Sequence, residues 1–136
     1  MSQHSRPSSP ASPSTAEVSQ VLKQLRQALA APPEPGVALG TWRWGVRQRM
    51  ARVRDVLVGE TSNPDGWLAA RGATMIRERN ALLARLNDLG PRVLEDADVP
   101  AVVADLDRFL TDVHHHLQRL HDLAYDEVEL ELGGSE

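Results

Sequence analysis

The chain has 136 residues, a hydrophobic fraction of 41% and a formal net charge of −4, and this length predicts one folded domain. It contains no cysteine, which excludes disulfides, thiolate metal sites and a cysteine nucleophile. No apolar run approaches the roughly 20 residues that span a bilayer, and the N-terminus lacks a hydrophobic signal region. We therefore expect a cytoplasmic protein with no transmembrane segment.

The charge is distributed unevenly along the chain. Residues 43–92 carry ten arginines and five acidic residues, whereas residues 93–136 carry two arginines and twelve acidic residues. The two segments should attract each other, either within one fold or between two copies.

The N-terminal part predicts a tail and two helices. Residues 1–14 are mostly Ser, Pro and Ala and predict a disordered tail. A first helix is predicted over residues 14–31, where Ser14 and Glu17 have capping-box spacing, and the Pro-rich segment 32–36 ends it. A second helix is predicted over residues 41–58. Its apolar face consists of Trp42, Val46, Met50, Val53, Val56 and Leu57.

The C-terminal part predicts two longer helices with heptad patterns. Asn63 as N-cap and the Gly90-Pro91 stop delimit a third helix over residues 64–89. A fourth begins at Asp98 or Val99 and runs to about 132, before a flexible end at 133–136. The apolar seam of the third helix consists of Leu68, Gly72, Met75, Arg79, Leu82, Leu86 and Leu89. The apolar seam of the fourth helix consists of Val99, Val103, Leu106, Leu110, Val113, Leu117, Leu120 and Ala124.

Two matched seams joined by a connector at 91–98 predict an antiparallel hairpin. The predicted fold is all-α, a small helical bundle over residues 15–132 built on the hairpin of 64–89 and 99–132, with one or two shorter N-terminal helices. In the predicted register Leu89 faces Val99. The seams leave flanking apolar positions that the first two helices or a second copy must cover, namely Ile76, Leu83, Val102, Phe109 and Leu123.

Arg79 occupies a seam position of the third helix. A buried, unpaired guanidinium would cost several kcal/mol, so its head must either reach solvent or find a carboxylate. In the predicted register Asp107 is the leading partner, with Asp105, Asp112 and Asp55 as alternatives. We expect the pair with Asp107 to set the hairpin register more than to add stability.

Two segments are candidate interaction sites. In the second helix, Trp44 points away from the apolar face, and Arg43, Arg47 and Arg54 flank that face on one side. An exposed tryptophan among arginines can anchor a protein interface, stack on bases or insert at a membrane surface. Alternatively, the first helix or the loop after it covers Trp44. Near the C-terminus, an acidic stretch is either a docking tip or packed under the first two helices, and its candidate contacts are Tyr125, Val128 and Leu130.

Four histidines lie close together in the fourth helix. No two of them have the i, i+3 or i, i+4 spacing that brings two metal ligands together on a helix, so no metal site is predicted. His114 and His121 share one rim of the seam and are weak candidates. His116 should lie on the other rim and His115 should face solvent.

No phosphate loop, nucleophile motif or dinucleotide fingerprint is present, so we expect neither enzymatic activity nor a cofactor. The predicted function is a non-enzymatic protein–protein interaction module, a small adaptor, assembly or regulatory subunit. It is expected to self-associate through its heptad faces as a homo-oligomer, and pairing of the two oppositely charged segments favours a dimer. One alternative is a bundle that binds a metal or small ligand through its histidine rim. Another is nucleic-acid contact through the second helix, against which a pI of about 5.7 counts.

Overall fold

The computed structural model describes residues 15–31, 38–59 and 69–134, and the side chains of 16–31, 38–59 and 72–122. This part of the chain contains four helices, α1 (Thr15–Ala30), α2 (Leu39–Val58), α3 (Ala69–Glu95) and α4 (Val99–Gly134). The predicted all-α helical bundle is confirmed. The predicted tail at 1–14, the helix stop at 32–36 and the cap at Asn63 lie outside the described residues.

Each helix packs against two others. α1 contacts α2 and α4, and α3 likewise contacts α2 and α4. At the start of α2, Trp42 donates a hydrogen bond to the carbonyl of Ala28 near the end of α1, and Arg43 donates one to the carbonyl of Val93 near the end of α3. The start of α2 therefore lies beside the ends of both neighbours, so consecutive helices are antiparallel. In cross-section the helices form a square, in which α2 lies diagonally opposite α4.

The core lies where the four apolar faces meet, and it is built largely from the predicted positions. Val102 and Phe109, which the predicted hairpin left without cover, are 2% and 0% exposed. Their cover comes from the same chain, so these two residues give no reason for a second copy. The buried cluster is formed by Leu22, Leu25, Leu29, Val46, Met50, Val53, Leu57, Leu82, Leu86, Leu89, Val93, Val102, Leu106, Phe109, Leu110 and Val113.

The third helix does not stop at Gly90 and Pro91, as its sequence predicted, but continues to Glu95. A proline inside a helix removes one backbone hydrogen bond and costs about 3 kcal/mol. Two tertiary interactions favour continuation here. Val93, about one turn beyond Gly90, lies in the core and is 1% exposed. Arg43 of α2 donates from Nη1 to the Val93 carbonyl at 2.9 Å and from Nη2 to the Asp96 carbonyl at 2.7 Å.

The hairpin turn is therefore only three residues long, at 96–98, and side chains organise it. The Ala101 N–H donates to Asp98 Oδ1 at 3.1 Å, which confirms Asp98 as the predicted cap of α4. The Asp98 N–H donates to Asp96 Oδ1 at 2.9 Å. This backbone hydrogen bond, together with the Arg92 and Arg43 guanidinium groups, outweighs burial and holds the pKa of Asp96 below its usual range.

Three ion pairs join α3 to α4, and their members are seven residues apart on both helices. They are Arg92 with Asp105, Arg85 with Asp112, and Arg119 with Glu78, each at 2.7 Å. The predicted register is therefore wrong. Because α3 extends through Pro91 and moves the turn toward the C-terminus, each residue of α3 meets a residue about two turns further along α4 than predicted.

Candidate interaction surface

The five arginines of α2 have different roles in the fold. Arg43, predicted to face a partner, instead binds the end of α3. Arg49 Nη1 donates to the Gly45 carbonyl at 3.0 Å, and Arg52 Nη1 donates to Gln24 Oε1 at 3.1 Å. Within the described part of the chain, Arg47 and Arg54 make no hydrogen bond or ion pair. Arg47 and Arg54, two of the three arginines predicted as contacts, are thus available to bind a partner.

The two tryptophans of α2 lie on opposite sides of the helix. Trp42 packs against the core, and its Nε1 donates to the Ala28 carbonyl at 2.9 Å. Trp44 is 58% exposed, so the alternative in which it is covered does not describe this structure. An indole exposed to this extent leaves a large apolar surface in water, which is typical of an interface anchor.

The large apolar side chains that are exposed belong to two helices that pack against each other, α2 and α3. Among the described residues, the large exposed hydrophobic side chains are Trp44 and Val58 of α2, and Ile76 and Leu94 of α3. Trp44, Arg47, Arg54 and Val58 recur along α2 at spacings that keep them on one stripe. We call this surface the α2/α3 face, and it consists of Trp44, Arg47, Arg54, Val58, Ile76 and Leu94.

The apolar residues occupy the two ends of the α2/α3 face. Arg43 bonds to Val93, so their chain neighbours Trp44 and Leu94 lie at the same end of the helix pair. Val58 and Ile76 lie toward the other end, because the two helices are antiparallel. The distance from Trp44 to Val58 along α2 is about 21 Å.

A groove of about 310 Å³ lies in the middle of this face, between the two helices. Its lining consists of Arg47, Met50, Ala51, Arg54, Leu86 and Asn87. Arg47 also lies close to the α3 backbone, since a Cβ on Gly90 would stand 3.1 Å from the Arg47 Cζ atom. The groove therefore combines an apolar floor with two guanidinium groups, which suits a partner carrying carboxylates.

Of the four histidines of α4, His116 does not lie on the rim of the seam, where it was predicted. His114, His115 and His121 are exposed, whereas His116 is 0% exposed and lies in the core. The prediction failed because α4 is buried by two neighbours, α1 and α3, and its buried face is wider than one heptad seam. Val102, Phe109 and His116 form a second inward stripe at intervals of seven residues.

His116 bonds to the carboxyl group of Glu78 on α3. Its Nδ1 lies 2.5 Å from Glu78 Oε1, and Arg119 Nη2 donates to Glu78 Oε2 at 2.7 Å. Burial alone would raise the pKa of Glu78, but the bonds to His116 and Arg119 outweigh it and leave the pKa lowered. Glu78 is then an ionised acceptor, so the His116 Nδ1 carries the proton of the hydrogen bond. The sequence signal that could have predicted the burial of His116 is its heptad spacing from Phe109 and Val102.

The predicted pair of Arg79 and Asp107 is not formed. Arg79 bonds to the neighbouring Asn80, and Asp107 accepts a hydrogen bond from Arg26 of α1 at 3.0 Å. The register explains the difference, since the longer α3 moves Arg79 away from the level of Asp107. The alternatives Asp105 and Asp112 bind Arg92 and Arg85.

The predicted docking residues near the C-terminus fall within α4, which is helical through them to Gly134. The side chains of Tyr125, Val128 and Leu130 lie outside the described residues. Their predicted role as contacts stays a prediction.

A larger cleft of about 590 Å³ lies between α1 and α2. Glutamines dominate its lining, and its two arginines already bond within the fold, Arg49 to Gly45 and Arg52 to Gln24. The side chains lining it are Gln20, Gln24, Gln27, Ala28, Gln48, Arg49 and Arg52.

Within residues 15–31, 38–59 and 69–134, the structure holds no group of three or more histidine or acidic side chains placed to bind a metal ion. In the same residues no helix combines the length and apolarity needed to cross a membrane. The chain matches no protein-family model, and neither curated proteins nor solved structures show significant similarity to it.

Proposed function

We propose that this protein is a non-enzymatic protein–protein docking module of the cytoplasm, an adaptor, assembly or regulatory subunit, whose docking surface is the α2/α3 face. One observation carries the proposal: the large exposed apolar side chains of the described chain all lie on this face, around two arginines that have no hydrogen-bond or ion-pair partner among the described residues. Apolar anchors beside unpaired charges are typical of protein interfaces.

The composition of the face favours a protein partner over a nucleic acid. Three of the five α2 arginines bond within the fold, which leaves only Arg47 and Arg54 for phosphate contacts. Nucleic-acid affinity grows with the number of phosphates neutralised, and two contacts would give only weak binding. The apolar ends of the face would contribute little to binding a phosphate backbone.

Affinity capture from extracts of the source organism tests the proposal. The bait is the full tagged chain, compared with the Trp44→Ala/Arg54→Ala variant and with Arg52→Ala. Arg52 is the matched control because it lies on the same helix but points toward α1, where it bonds to Gln24. We expect at least one protein, untagged copies of the chain included, to bind the wild type and Arg52→Ala and to be lost from the double variant.

Direct binding of the captured protein, after purification, must show the same dependence on Trp44 and Arg54. Retention of the same proteins by all three baits would overturn the proposal. Capture of nucleic acid instead, lost on Arg54→Ala, would replace a protein partner with a nucleic acid.

A further inference from the structure

We infer that the α2/α3 face binds an amphipathic helix of another protein, which presents two carboxylates one heptad apart and an apolar residue beyond each of them. The inference rests on the docking function proposed above and specifies the chemistry of the partner. It follows from the order of the side chains along α2, the charges that line the groove, and the spacing between those charges.

The outer side of α2 has the side-chain order of a helix-packing seam. Trp44, Arg47, Ala51, Arg54 and Val58 follow one another at alternating steps of three and four residues. Such steps keep side chains on one stripe of a helix and are typical of a surface that packs against another helix. The apolar members of this stripe are exposed. The described fold therefore leaves this seam open to a further helix.

The groove beside this seam is shaped to receive a helix. α3 supplies the opposite wall with Ile76, Leu83, Asn87 and Leu94, whose spacings of four and seven residues place them on one side of that helix. Both Asn87 and Ala51 line the groove. Because alanine has the smallest side chain of the α2 seam, the backbone of a partner can approach closely at the middle of the face. A helix laid along the groove contacts both walls.

The groove is charged on one side only. Its described lining includes Arg47 and Arg54 but no acidic side chain. Neither arginine makes a hydrogen bond or an ion pair with a described residue. An apolar helix would cover both guanidinium groups without pairing them, which is costly, so the partner must supply carboxylates. A second copy cannot supply them through the same face, because a two-fold contact would set arginine against arginine.

The spacing of the two arginines favours a helix over an extended segment. Arg47 and Arg54 are one heptad apart, a rise of about 10.5 Å. Side chains seven residues apart on a partner helix have the same spacing and face the same way. On a strand, side chains of one face recur at about 6.8 and 13.6 Å, and neither distance matches. Trp44 and Val58 lie beyond the arginines, so the apolar residues of the partner belong three or four positions outside its acids.

Selection from a displayed library of helical peptides tests the inference without presupposing a sequence. The peptides are about 18 residues long, enough to span the face, and their surface positions are randomised. The full chain is the bait. We expect the enriched peptides to carry two acids seven residues apart, with a large apolar residue three or four positions beyond each. Their binding should weaken as salt is added, because the charges lie at the surface.

Fluorescence anisotropy then compares an enriched peptide on three forms of the chain. Reversal of the face, Arg47→Glu/Arg54→Glu, should weaken binding by about tenfold or more, because two attractive pairs become repulsive. Arg52→Glu/Arg77→Glu is the matched control, since it changes the net charge equally but lies off the face, and it should bind like the wild type. A peptide whose two acids are replaced by lysine should bind the reversed face and not the wild type. That exchange also shows that the reversed variant is folded.

Four results would overturn the inference. They are a selection that yields no peptide bound to the face, enriched peptides without the acid pair, a reversed face that binds the acidic peptide as well as the wild type does, and a lysine peptide that fails to bind the reversed face although circular dichroism shows that variant to be folded. Trp44-dependent self-association of the chain would also overturn it, because the occupant would then be a second copy. Peptides that need Trp44 but lack the acid pair would leave the docking function intact, whereas equal capture by all three baits from extracts would remove that function itself.

Discussion

At the scale of single residues, Gly90 is a position that favours glycine over alanine. It stands before Pro91 inside a helix, where a Cβ would crowd the proline ring, and a Cβ there would also meet the Arg47 guanidinium at 3.1 Å. Glycine therefore lets the helix pass through Pro91 and lets Arg47 lie against α3. The residue that was predicted to end the helix instead allows it to continue.

We expect Gly90→Ala to lower the free energy of unfolding by about 1 kcal/mol, despite the higher helix propensity of alanine. Gly72→Ala is the matched control, because it lies in the same helix with nothing within 4 Å of its Cβ position. That change should raise the free energy of unfolding by about 0.5 kcal/mol. Urea unfolding followed by circular dichroism measures both, and a gain at both positions would contradict this view of Gly90.

The pairing of Glu78 with buried His116 should make stability depend on pH. The pKa of Glu78 is lowered in the folded chain, so the unfolded chain binds the proton more tightly. Stability from this carboxylate is complete above its ordinary pKa of 4.5 and is lost as the pH falls through the lowered value. The wild type should therefore lose more stability on acidification than Glu78→Gln. Equal losses in urea unfolding across this range would contradict the assignment.

At the scale of elements, the three ion pairs between α3 and α4 set the hairpin register and add little stability. The side chains of Arg85 and Asp112 are 41% and 44% exposed, and such pairs contribute at most about 1 kcal/mol. Arg85 also lies over the ring of Phe109, with its Cζ atom 5.4 Å from the centroid. A shifted register would place these charges opposite apolar side chains, which favours the observed alignment.

A double-mutant cycle distinguishes the observed register from the predicted one. Alanine substitutions at Arg85 and Asp112 should show a favourable coupling energy of up to about 1 kcal/mol. The cycle at Arg79 and Asp107, the pair that the sequence predicted, should show none beyond about 0.3 kcal/mol. Stronger coupling in the second cycle would mean that the hairpin adopts the predicted register in solution.

At the scale of the whole molecule, the proposed docking function would use one side of α2 while the other side stabilises the fold. Its inner side contributes Val46, Met50 and Val53 to the core, while its outer side carries Trp44 and Arg54. A single helix can serve both purposes because residues half a turn apart face opposite directions. Substitutions on the outer side should therefore affect binding without affecting folding.

The two tryptophans test this separation. Trp42→Ala should lower the free energy of unfolding by about 2–4 kcal/mol, because it removes core packing and the hydrogen bond to Ala28. Trp44→Ala should change it by no more than about 0.5 kcal/mol. Thermal or urea unfolding of dilute protein gives both values. Comparable losses would make Trp44 structural and would remove the anchor of the proposed docking face.

Local patterns in the sequence determined the helices and most of their inward faces. Apolar periodicity placed α1, α2 and α4 within about two residues of their observed bounds and placed Trp42 and Trp44 on opposite sides, because side-chain direction on a helix depends only on spacing. The cap at Asp98 was predictable for the same reason, since capping involves residues three positions apart.

Only the tertiary structure decided where α3 ends, how the hairpin aligns and which charges remain free. Each depends on contacts between residues distant in sequence. Arg43 of α2 binds the last turn of α3, which extends that helix past Pro91 and moves the whole register. The same register buries His116 against Glu78 and separates Arg79 from Asp107. Spacing along one helix carries no information about its neighbour, so these outcomes follow from packing alone.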